Sequence, residues 1–456
     1  MPFLDADESW SLYCKVFGKI KFPSKFEQIG RDIVKKCEGL PLAITVIASL
    51  LSKTLEDEEK WKNVAKSVMG DSNDACSRIL YLSYNQLPHH LKACFLYFGV
   101  FREDYEIPMK KLVRLWAAEG FLRVVKHVNM EKVAMECLQD LVDRSLVIIS
   151  KHSYNGEMKR IRIHDLLRDL CLREARLENL LNINGAKKPC RWISHTSGSF
   201  YNEIFKFEDE CFHKSHSFHL SSHLYYFWNA DVKRLFSHLK LLRVVDMRNR
   251  FWDAIIDLNV FANLVHLRYL ALYTNDYCGV NLFEHWYNMQ TFIVSGDGVI
   301  LYSSELFGIW KMPLLRNFCI GRICSLETPS VVYRNLENIS WLESKLCTKD
   351  LFTMIPNLKT LGVDGGYYVN SPYCFYNFVH LEKLEKLSIR RWMNLNLVIC
   401  SSIPWTTSLP NLKKLSLLKC NLQWSELSAI SMLSNLEVLK LIDACEGPEW
   451  ETSDGG

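Results

Sequence analysis

The sequence predicts a multidomain α plus α/β protein: a helical bundle, a winged-helix domain and a leucine-rich-repeat solenoid. Helical patterns fill residues 1–72, and helices followed by a hairpin and another helix fill residues 73–176. A leucine pattern repeats through residues 236–446. Residues 177–235 are predicted to form a linker and solenoid cap, and residues 447–456 a polar, disordered tail.

The N-terminal bundle is predicted from apolar residues at helical spacing and from the signals between them. Ser24 and Glu27 match a capping box at the start of one helix. Gly39 then suits a left-handed C-terminal position, and Pro41 suits the first turn of the next helix. The run Leu40–Leu51 is apolar nearly all round, so it is predicted to lie inside the bundle.

The winged helix is predicted from the order of its elements. Four helical patterns precede two β-rich runs, and the Asn155-Gly156 pair between those runs is the strongest short hairpin signal. An amphipathic helix follows directly after His164-Asp165. Helices, a two-stranded wing and a final helix are typical of a winged-helix arrangement.

The solenoid is predicted from seven units that share one template, at gaps of 24–28 residues between adjacent clear units. The clearest unit, LxxLxLxxCxL, runs from Leu412 to Leu422. Degenerate units near Phe292 and Ile339 fill the two wider gaps. The segment KSHSFHL before them is a candidate first, irregular repeat. One strand per repeat would stack into a parallel sheet over a continuous apolar core.

Composition excludes several classes of function. The net charge of +4 over 456 residues gives no compositional case for nucleic acid or an anionic membrane. The 16 cysteines are scattered without a CxxC pair, which favours free thiols in a reducing compartment. The acidic N-terminus does not resemble a signal peptide, and the longest apolar run is too short to span a bilayer.

Motifs for catalysis are absent from the sequence. It contains no GxxxxGK[ST], GxGxxG or GxSxG pattern, so no phosphate-binding loop or nucleophile elbow is predicted and we expect no enzyme. The segment CFHKSHSFHLSSH matches no zinc-ligand spacing and suits a strand better, so no metal is expected. The basic residues Lys110, Lys111 and Arg114 are interpreted as a solvated helix face rather than a DNA-reading one.

His164 and Asp165 have two interpretations from the residues alone. In the first, Asp165 caps the helix that follows and His164 is a partly buried residue at the end of the wing. In the second, the helix N-terminus is an anion site, and His164 donates to a phosphate oxygen. The sequence pattern by itself does not choose between them.

Several motifs in this order resemble plant coiled-coil nucleotide-binding leucine-rich-repeat disease-resistance proteins, most closely the late-blight-resistance-like group. CEGLPLAITVIASLLS (Cys37–Ser52) is similar to their GLPL motif, and Cys94–Leu122 to their winged-helix segment. RIHDLLRDL is similar to the Met-His-Asp motif, with Ile163 in place of methionine. Arg102 stands where the family usually has proline, which implies only a local loop change. Residues 1–72 would then be the helical part of the nucleotide-binding module.

The resemblance implies an ATPase switch of the STAND type, closed with ADP and opened by ATP, that oligomerises on activation and signals defence and cell death. By position, Pro41 would pack near the adenine and His164 would contact the ADP β-phosphate. Structural roles would fall to Gly39, Leu40, Leu42 and Asp165. It also implies a cytoplasmic protein whose repeats bind a pathogen effector, a host guardee or other receptor domains. Peripheral membrane association stays open, and no nucleic acid or transmembrane segment is expected.

The family's coiled coil, phosphate loop and Walker B strand have no counterpart in this sequence, so we expect a form truncated at the N-terminus. Pro41 and His164 would then be vestigial, and the chain alone should bind no ADP or ATP, or bind them weakly. The alternatives are a switch completed in trans and a DNA-binding winged-helix protein. Trp252 and Tyr273 are candidate surface aromatics of the repeats.

Overall fold

The structure, a computed structural model, describes residues 3–17, 22–53, 58–68, 75–122, 130–153, 155–183, 189–195, 213–220, 229–248, 255–274, 276–278, 285–296, 308–365, 372–390, 409–420, 422–423, 430 and 433–446. The chain divides into two compact units, Met1–Asn182 and Ile183–Gly456. The first unit contains nine of the described α-helices and the hairpin, and the second contains the repeats with two further helices. This architecture confirms the predicted fold class.

The first unit begins with the predicted helical bundle. Its helices are α1 (Ala6–Phe17), α2 (Glu27–Lys36), α3 (Pro41–Ser52) and α4 (Glu58–Val68). Helix α3 has nine of its twelve residues buried, as its apolar sequence predicts. Trp61 of α4 stacks on Phe26 with ring centroids 4.4 Å apart, and both side chains are fully buried. Burial of such a ring stabilises the bundle by roughly 1.5–3 kcal/mol.

The capping box predicted for Ser24 and Glu27 is wrong. Ser24 starts a short 3-10 turn, and Phe26, which precedes α2, makes no side-chain cap. Because that turn shifts the start of α2 to Glu27, Ser24 lies too early to accept from its first amides. A reciprocal box forms at α1 instead, where the Glu8 amide donates to the Asp5 carboxylate (2.8 Å) and the Asp5 amide to Glu8 (3.1 Å).

The winged-helix domain follows in the same unit. Its elements are α5 (Ala75–Asn85), α6 (His89–Leu96), β1 (Ile107–Pro108), α7 (Met109–Glu119), α8 (Met130–Asp143), β2 (Ile148–His152), β3 (Met158–Arg162) and α9 (Asp165–Leu177). The strands form an antiparallel sheet in the order β1-β3-β2. At the predicted hairpin turn Gly156 has φ +80°, and the Asn155 side chain accepts from the Glu157 amide (3.3 Å). The hairpin prediction is therefore confirmed.

From residue 181 onward the described chain is a solenoid of stacked strands. They are β4 (Leu181–Ile183), β5 (Trp192–His195), β6 (Ser217–Leu220), β7 (Val244–Met247), β8 (Ile255–Asp257), β9 (Tyr269–Tyr273), β10 (Asp276–Cys278), β11 (Thr291–Ser295), β12 (Asn317–Ile323), β13 (Asn338–Glu343), β14 (Thr360–Asp364), β15 (Lys386–Arg390), β16 (Lys414–Leu418), β17 (Leu422–Gln423), β18 (Val438–Ile442) and β19 (Cys445–Glu446), with helices α10 (Asn229–His238) and α11 (Lys349–Met354). Among the described residues, twelve strands form one sheet, ordered β4-β5-β6-β7-β9-β11-β12-β13-β14-β15-β16-β18.

Parallel pairing places equivalent residues of successive repeats side by side, so the template leucines share one core. At most 1% of the surface is exposed for Leu242, Leu267, Leu315, Leu358, Leu384 and Leu412. Phe292 and Ile339 lie in the same core, which confirms the two degenerate units. The KSHSFHL segment supplies β6, which pairs in parallel with β7.

A row of asparagines crosslinks the turns that precede the strands. In each case the side-chain Nδ2 donates to a backbone carbonyl in the turn of the preceding repeat, at 2.6–3.2 Å. The residues are Asn288, Asn335, Asn357, Asn411 and Asn435. These bonds satisfy carbonyls that no strand neighbour reaches, so they fix the spacing of the turns along one edge.

Candidate functional site

The first candidate element is the start of α3, where the structure places four of the predicted site residues. Gly39 has φ +73° and ends the preceding turn in the left-handed region. Leu40 is the extended N-cap, and Pro41 occupies the first turn of α3, with Leu42 buried behind it. Glycine and proline therefore lie where their backbone preferences predict.

The extended segment before α1 lies directly against this glycine. The Leu4 amide donates to the Gly39 carbonyl oxygen at 2.9 Å. A Cβ at position 39 would lie 2.2 Å from the Leu4 carbonyl oxygen, well inside contact distance. Only glycine fits, because both the positive φ and the close backbone approach exclude a side chain.

A cleft of about 360 Å³ opens beside Gly39, between the segment before α1 and helix α2. Its lining includes Trp10, Arg31 and Lys35. The Arg31 guanidinium lies 4.4 Å over the Trp10 ring and pairs with Glu27 at 3.0 Å. The cleft therefore has an aromatic wall with a cationic rim, although the ion pair with Glu27 partly neutralises the Arg31 charge.

The second candidate element is the start of α9. His164 is the N-cap, with extended backbone (φ −71°, ψ 146°), and its Nδ1 accepts from the Leu166 amide at 3.3 Å. Asp165 is the first residue inside the helix, so the prediction that Asp165 itself caps the helix is wrong. As Nδ1 accepts, the neutral ring carries its proton on Nε2, and the exposed His164 can donate from that atom. Asp165 still faces the positive helix end.

Helix α9 is held in place by bonds to the rest of the winged helix. Arg168 donates to the Phe101 carbonyl at 3.0 Å. The Cys171 thiol donates to the Phe95 carbonyl at 3.3 Å, and the Tyr84 hydroxyl donates to Glu178 at 2.8 Å. The position of His164 thus follows from a helix whose orientation is fixed along its length.

The two candidate elements belong to different helix starts. In the described part of the chain, no hydrogen bond, ion pair or ring contact joins Pro41 to His164. The far end of α3 does contact α8, because Lys53 pairs with Asp140 and the Ser49 and Ser145 hydroxyls lie 2.7 Å apart. These contacts tie the bundle to the winged helix.

Of the three basic residues of α7, Lys110 is exposed, whereas Lys111 and Arg114 are partly buried and do not form the predicted solvated face. The Lys111 ammonium lies 5.7 Å from the Phe101 ring centroid and 5.4 Å from that of Tyr105. The Arg114 Nε is buried. This helix therefore does not present Lys111 and Arg114 together for a nucleic-acid backbone, so the alternative of a DNA-reading helix gains no support from the geometry.

Two other kinds of site find no representative in the described part of the chain. No group of three or more potential metal-ligand side chains comes together there. Of the histidine-rich segment, Cys211 and His223 lie outside the described residues, and His213 bonds the His238 carbonyl at 3.0 Å. No described helix combines the length and apolarity needed to cross a bilayer.

The third candidate element lies on the repeat sheet and was not predicted. Of the predicted surface aromatics, Trp252 lies outside the described residues, and Tyr273 is a partly buried residue at the end of β9. Trp341 in β13 has φ +54°, a left-handed conformation that is strained for a bulky side chain. Such strain is most often found where it serves a function.

A β-bulge produces this conformation. Ile339 pairs with Leu361 and Leu342 with Val363, so Ser340 and Trp341 together oppose the single residue Gly362. A Cβ on Gly362 would lie 2.7 Å from the Trp341 amide nitrogen. The bulge therefore requires glycine in the next strand, and it re-aims the tryptophan relative to the regular pleat.

The Trp341 site consists of Trp341, Gly362, Asp364 and Arg390. The Arg390 guanidinium lies 4.0 Å over the Trp341 ring, and its Nε donates to the Asp364 carboxylate at 2.8 Å. Asp364 is fully buried, so its charge is compensated by that guanidinium. The sequence contains a signal for this bulge, because Leu342 follows Ile339 by three positions, whereas the corresponding two leucines of the repeat template are two positions apart.

Comparisons with known proteins agree with the architecture. Residues 100–171 match the family model described as disease resistance protein winged helix domain. A disease resistance RPP13-like protein 3 of Arabidopsis thaliana is 31% identical over 97% of this chain and 53% of its own length. A late blight resistance protein homolog of Solanum demissum is 30% identical over 100% of this chain and 36% of its own length.

The chain therefore spans about half, or less, of the length of these curated relatives. The extracellular repeat domain of the Arabidopsis thaliana receptor kinase GASSHO1/SCHENGEN3 is 13% identical, with a TM-score of 0.35 over 56% of this chain and 33% of its own. The chain carries the winged-helix domain of plant disease resistance proteins and is homologous over its whole length to RPP13-like and late blight resistance proteins.

Proposed function

We propose that this chain acts in plant innate immunity, in the cytoplasm, as a receptor module whose repeats bind a protein. That protein would be a pathogen effector, a host protein guarded by the receptor, or other receptor domains. Homology to disease resistance proteins supports the proposed role in plant immunity. The observation that carries the binding role is the Trp341 site on the repeat sheet.

The Trp341 site has the physical properties of a binding hot spot. Tryptophan and arginine dominate measured hot spots, because each buries much area and offers directional donors. Here the Arg390 side chain is already fixed, by the stack on Trp341 at 4.0 Å and by the bond to the buried Asp364. A fixed side chain loses little entropy on binding, so a partner gains most of the contact energy.

The test compares two aromatic substitutions in the full chain. The unchanged chain, Trp341→Ala and the control Tyr376→Ala are used to capture proteins from pathogen-challenged leaves. Captured proteins are then purified, and their affinities measured by calorimetry. Tyr376 is an exposed aromatic residue that lies outside the Trp341 site. We expect Trp341→Ala to weaken binding about 30-fold, the size of a hot spot of about 2 kcal/mol. Equal retention by Trp341→Ala and the unchanged chain would contradict the proposal.

We also propose that this chain by itself binds ADP weakly and hydrolyses no nucleotide. Pro41 and His164 would provide one side of an ADP site, as the family resemblance implies, but the sequence holds no phosphate-binding loop. A single helix N-terminus offers the β-phosphate few donors, and His164 Nδ1 is already used in capping. Titration with a fluorescent ADP analogue checks this, and low-micromolar binding would favour a working switch instead.

A further inference from the structure

From β5 onward, the residue that precedes each strand of the large sheet forms a continuous row, termed here the pre-strand row. Each member's amide donates to the carbonyl of the previous member at 2.7–2.9 Å. In order the members are Arg191, His216, Arg243, Arg268, Gln290, Arg316, Glu337, Lys359, Glu385, Lys413 and Glu437. Because these backbone bonds fix the spacing, the side chains form a ladder of known register along one edge.

The ladder has two halves of different charge. From Arg316 onward, cations and carboxylates alternate, and Glu337 pairs with Arg316 at 3.6 Å and with Lys359 at 3.2 Å. The first half contains arginine, histidine and glutamine but no carboxylate. The turns around it are equally free of acidic residues, since none occurs at 238–245, 263–270, 285–292 or 311–318.

The cations of the first half lie close enough to affect one another. Burial, together with the neighbouring charges of Arg191, Arg243 and Arg268, lowers the pKa of His216 to about 4. All four side chains are half-buried. This part of the edge therefore presents a positive field from fixed positions.

The same turns each expose one large apolar side chain. Four successive repeats, those of β7, β9, β11 and β12, contribute Leu241, Val265, Tyr287 and Leu314, which are 41%, 46%, 57% and 42% exposed. The four apolar residues together with Arg243 and Arg268 are termed the basic edge. Apolar side chains exposed one per repeat beside a basic row are a pattern that a partner surface can match in register.

The spacing favours a helix as the matching partner. Neighbouring strands lie about 4.8 Å apart, so three steps cover roughly 14 Å. Three helical turns cover roughly 16 Å, whereas three two-residue steps of an extended chain cover roughly 20 Å. Only the helix keeps one side chain near each repeat. Because three of the four exposed residues are aliphatic, stacking of nucleic-acid bases is not favoured.

We propose that the basic edge binds an amphipathic helix with an acidic flank, contributed by a protein partner. Apolar side chains of that helix would pack on Leu241, Val265, Tyr287 and Leu314, and its carboxylates would lie beside Arg243 and Arg268. The inference rests on the proposed role of the repeats in binding a protein. It adds the chemistry of the partner and a surface separate from the Trp341 site.

The test uses the full chain and a synthetic helical peptide, labelled with fluorescein, that carries leucines along one face and glutamates beside them. Three control probes are the same peptide with lysines for glutamates, an isomer with leucines at every second position, and phosphatidylserine vesicles. Binding is followed by fluorescence anisotropy at two salt concentrations. Variants are Arg243→Glu, Tyr287→Ser and, as a matched control in the alternating half of the same row, Lys413→Glu.

We expect the acidic helical peptide to bind best, and to bind more weakly as salt rises, since the contacts are partly ionic. Arg243→Glu and Tyr287→Ser should each weaken binding about tenfold, whereas Lys413→Glu should change it less than about twofold. No binding, equal binding of the isomer or the lysine peptide, stronger binding of vesicles, or equal loss with Lys413→Glu would overturn the proposal. Trp341→Ala should leave peptide binding unchanged, so failure here is distinct from failure of the proposed function.

Discussion

Replacement of His164 separates its structural role from a role in nucleotide binding. In the structure His164 Nδ1 accepts from the Leu166 amide at 3.3 Å, and this is the side-chain cap of α9. Alanine removes that acceptor, and the amide is then left to water. The substitution therefore removes the cap and the imidazole together, whereas asparagine removes only the imidazole and remains a good N-cap.

The expected size follows from the geometry. N-cap deletions cost about 0.5–2 kcal/mol. The bond is long, and His164 is exposed, so His164→Ala should lie in the lower half of that range, at about 0.5–1 kcal/mol. The unit that contains it runs from Met1 to Asn182, and for that size about 1 kcal/mol shifts Tm by roughly 2–4 °C. We expect a decrease of about 1–4 °C for alanine and no decrease for asparagine.

Circular dichroism melts of the full chain measure the loss of the α9 cap, and titration with a fluorescent ADP analogue measures the contribution of the imidazole to ADP binding. If the chain binds ADP weakly, as proposed, then the unchanged chain, His164→Ala and His164→Asn should give the same shallow ADP titration curve. A His164→Asn variant that melts like the unchanged chain yet loses about tenfold in ADP affinity would contradict weak binding, because the imidazole would then contribute about 1.4 kcal/mol. An alanine variant as stable as the asparagine one would refute the capping argument.

Three further changes test other parts of the fold. Gly39→Ala should lower the urea midpoint, since a positive φ costs about 1–2 kcal/mol and the new Cβ displaces Leu4. Burial lowers the pKa of His195 to about 3 and, with nearby arginines, that of His216 to about 4. Both histidines are neutral in the folded chain but protonate near pH 6.5 in the unfolded chain, so protonation favours unfolding. The urea midpoint should therefore fall as the pH drops from about 6.5 towards 4, and it should fall less in the His216→Gln variant. Asn357→Ala removes a 2.7 Å bond between turns and should cost about 0.5–1.5 kcal/mol, seen as faster amide exchange in the preceding turn.

The fold could be predicted from the sequence because each of its units has a period that burial enforces. Leu361 of β14 pairs with Leu387 of β15 at equivalent template positions, and both are fully buried. Any shift of register would move such a leucine to the other face of the strand. The GLPL turn was predictable for a related reason, since the backbone preferences of Gly39 and Pro41 leave few alternatives.

The cap of α9 could not be predicted with the same certainty. His164 and Asp165 are adjacent, and either can accept a hydrogen bond from a helix amide. The choice depends on which of the two residues first adopts helical dihedrals. The backbone stays extended through His164, so the histidine becomes the cap and Asp165 enters the helix.

The Trp341 site lies where the sequence departs from its own repeat, and this gives a rule for finding such sites. One extra residue separates Ile339 from Leu342. Both side chains still reach the core, at 1% and 0% exposure, so the strand must bulge between them. The bulge needs a neighbour without a side chain, which the sequence supplies at Gly362. The stack of Arg390 needs a third strand, and only pairing of β14 with β15 brings it within reach. An insertion in one repeat and a glycine in the next therefore indicate the site, whereas its arginine requires the register of the sheet.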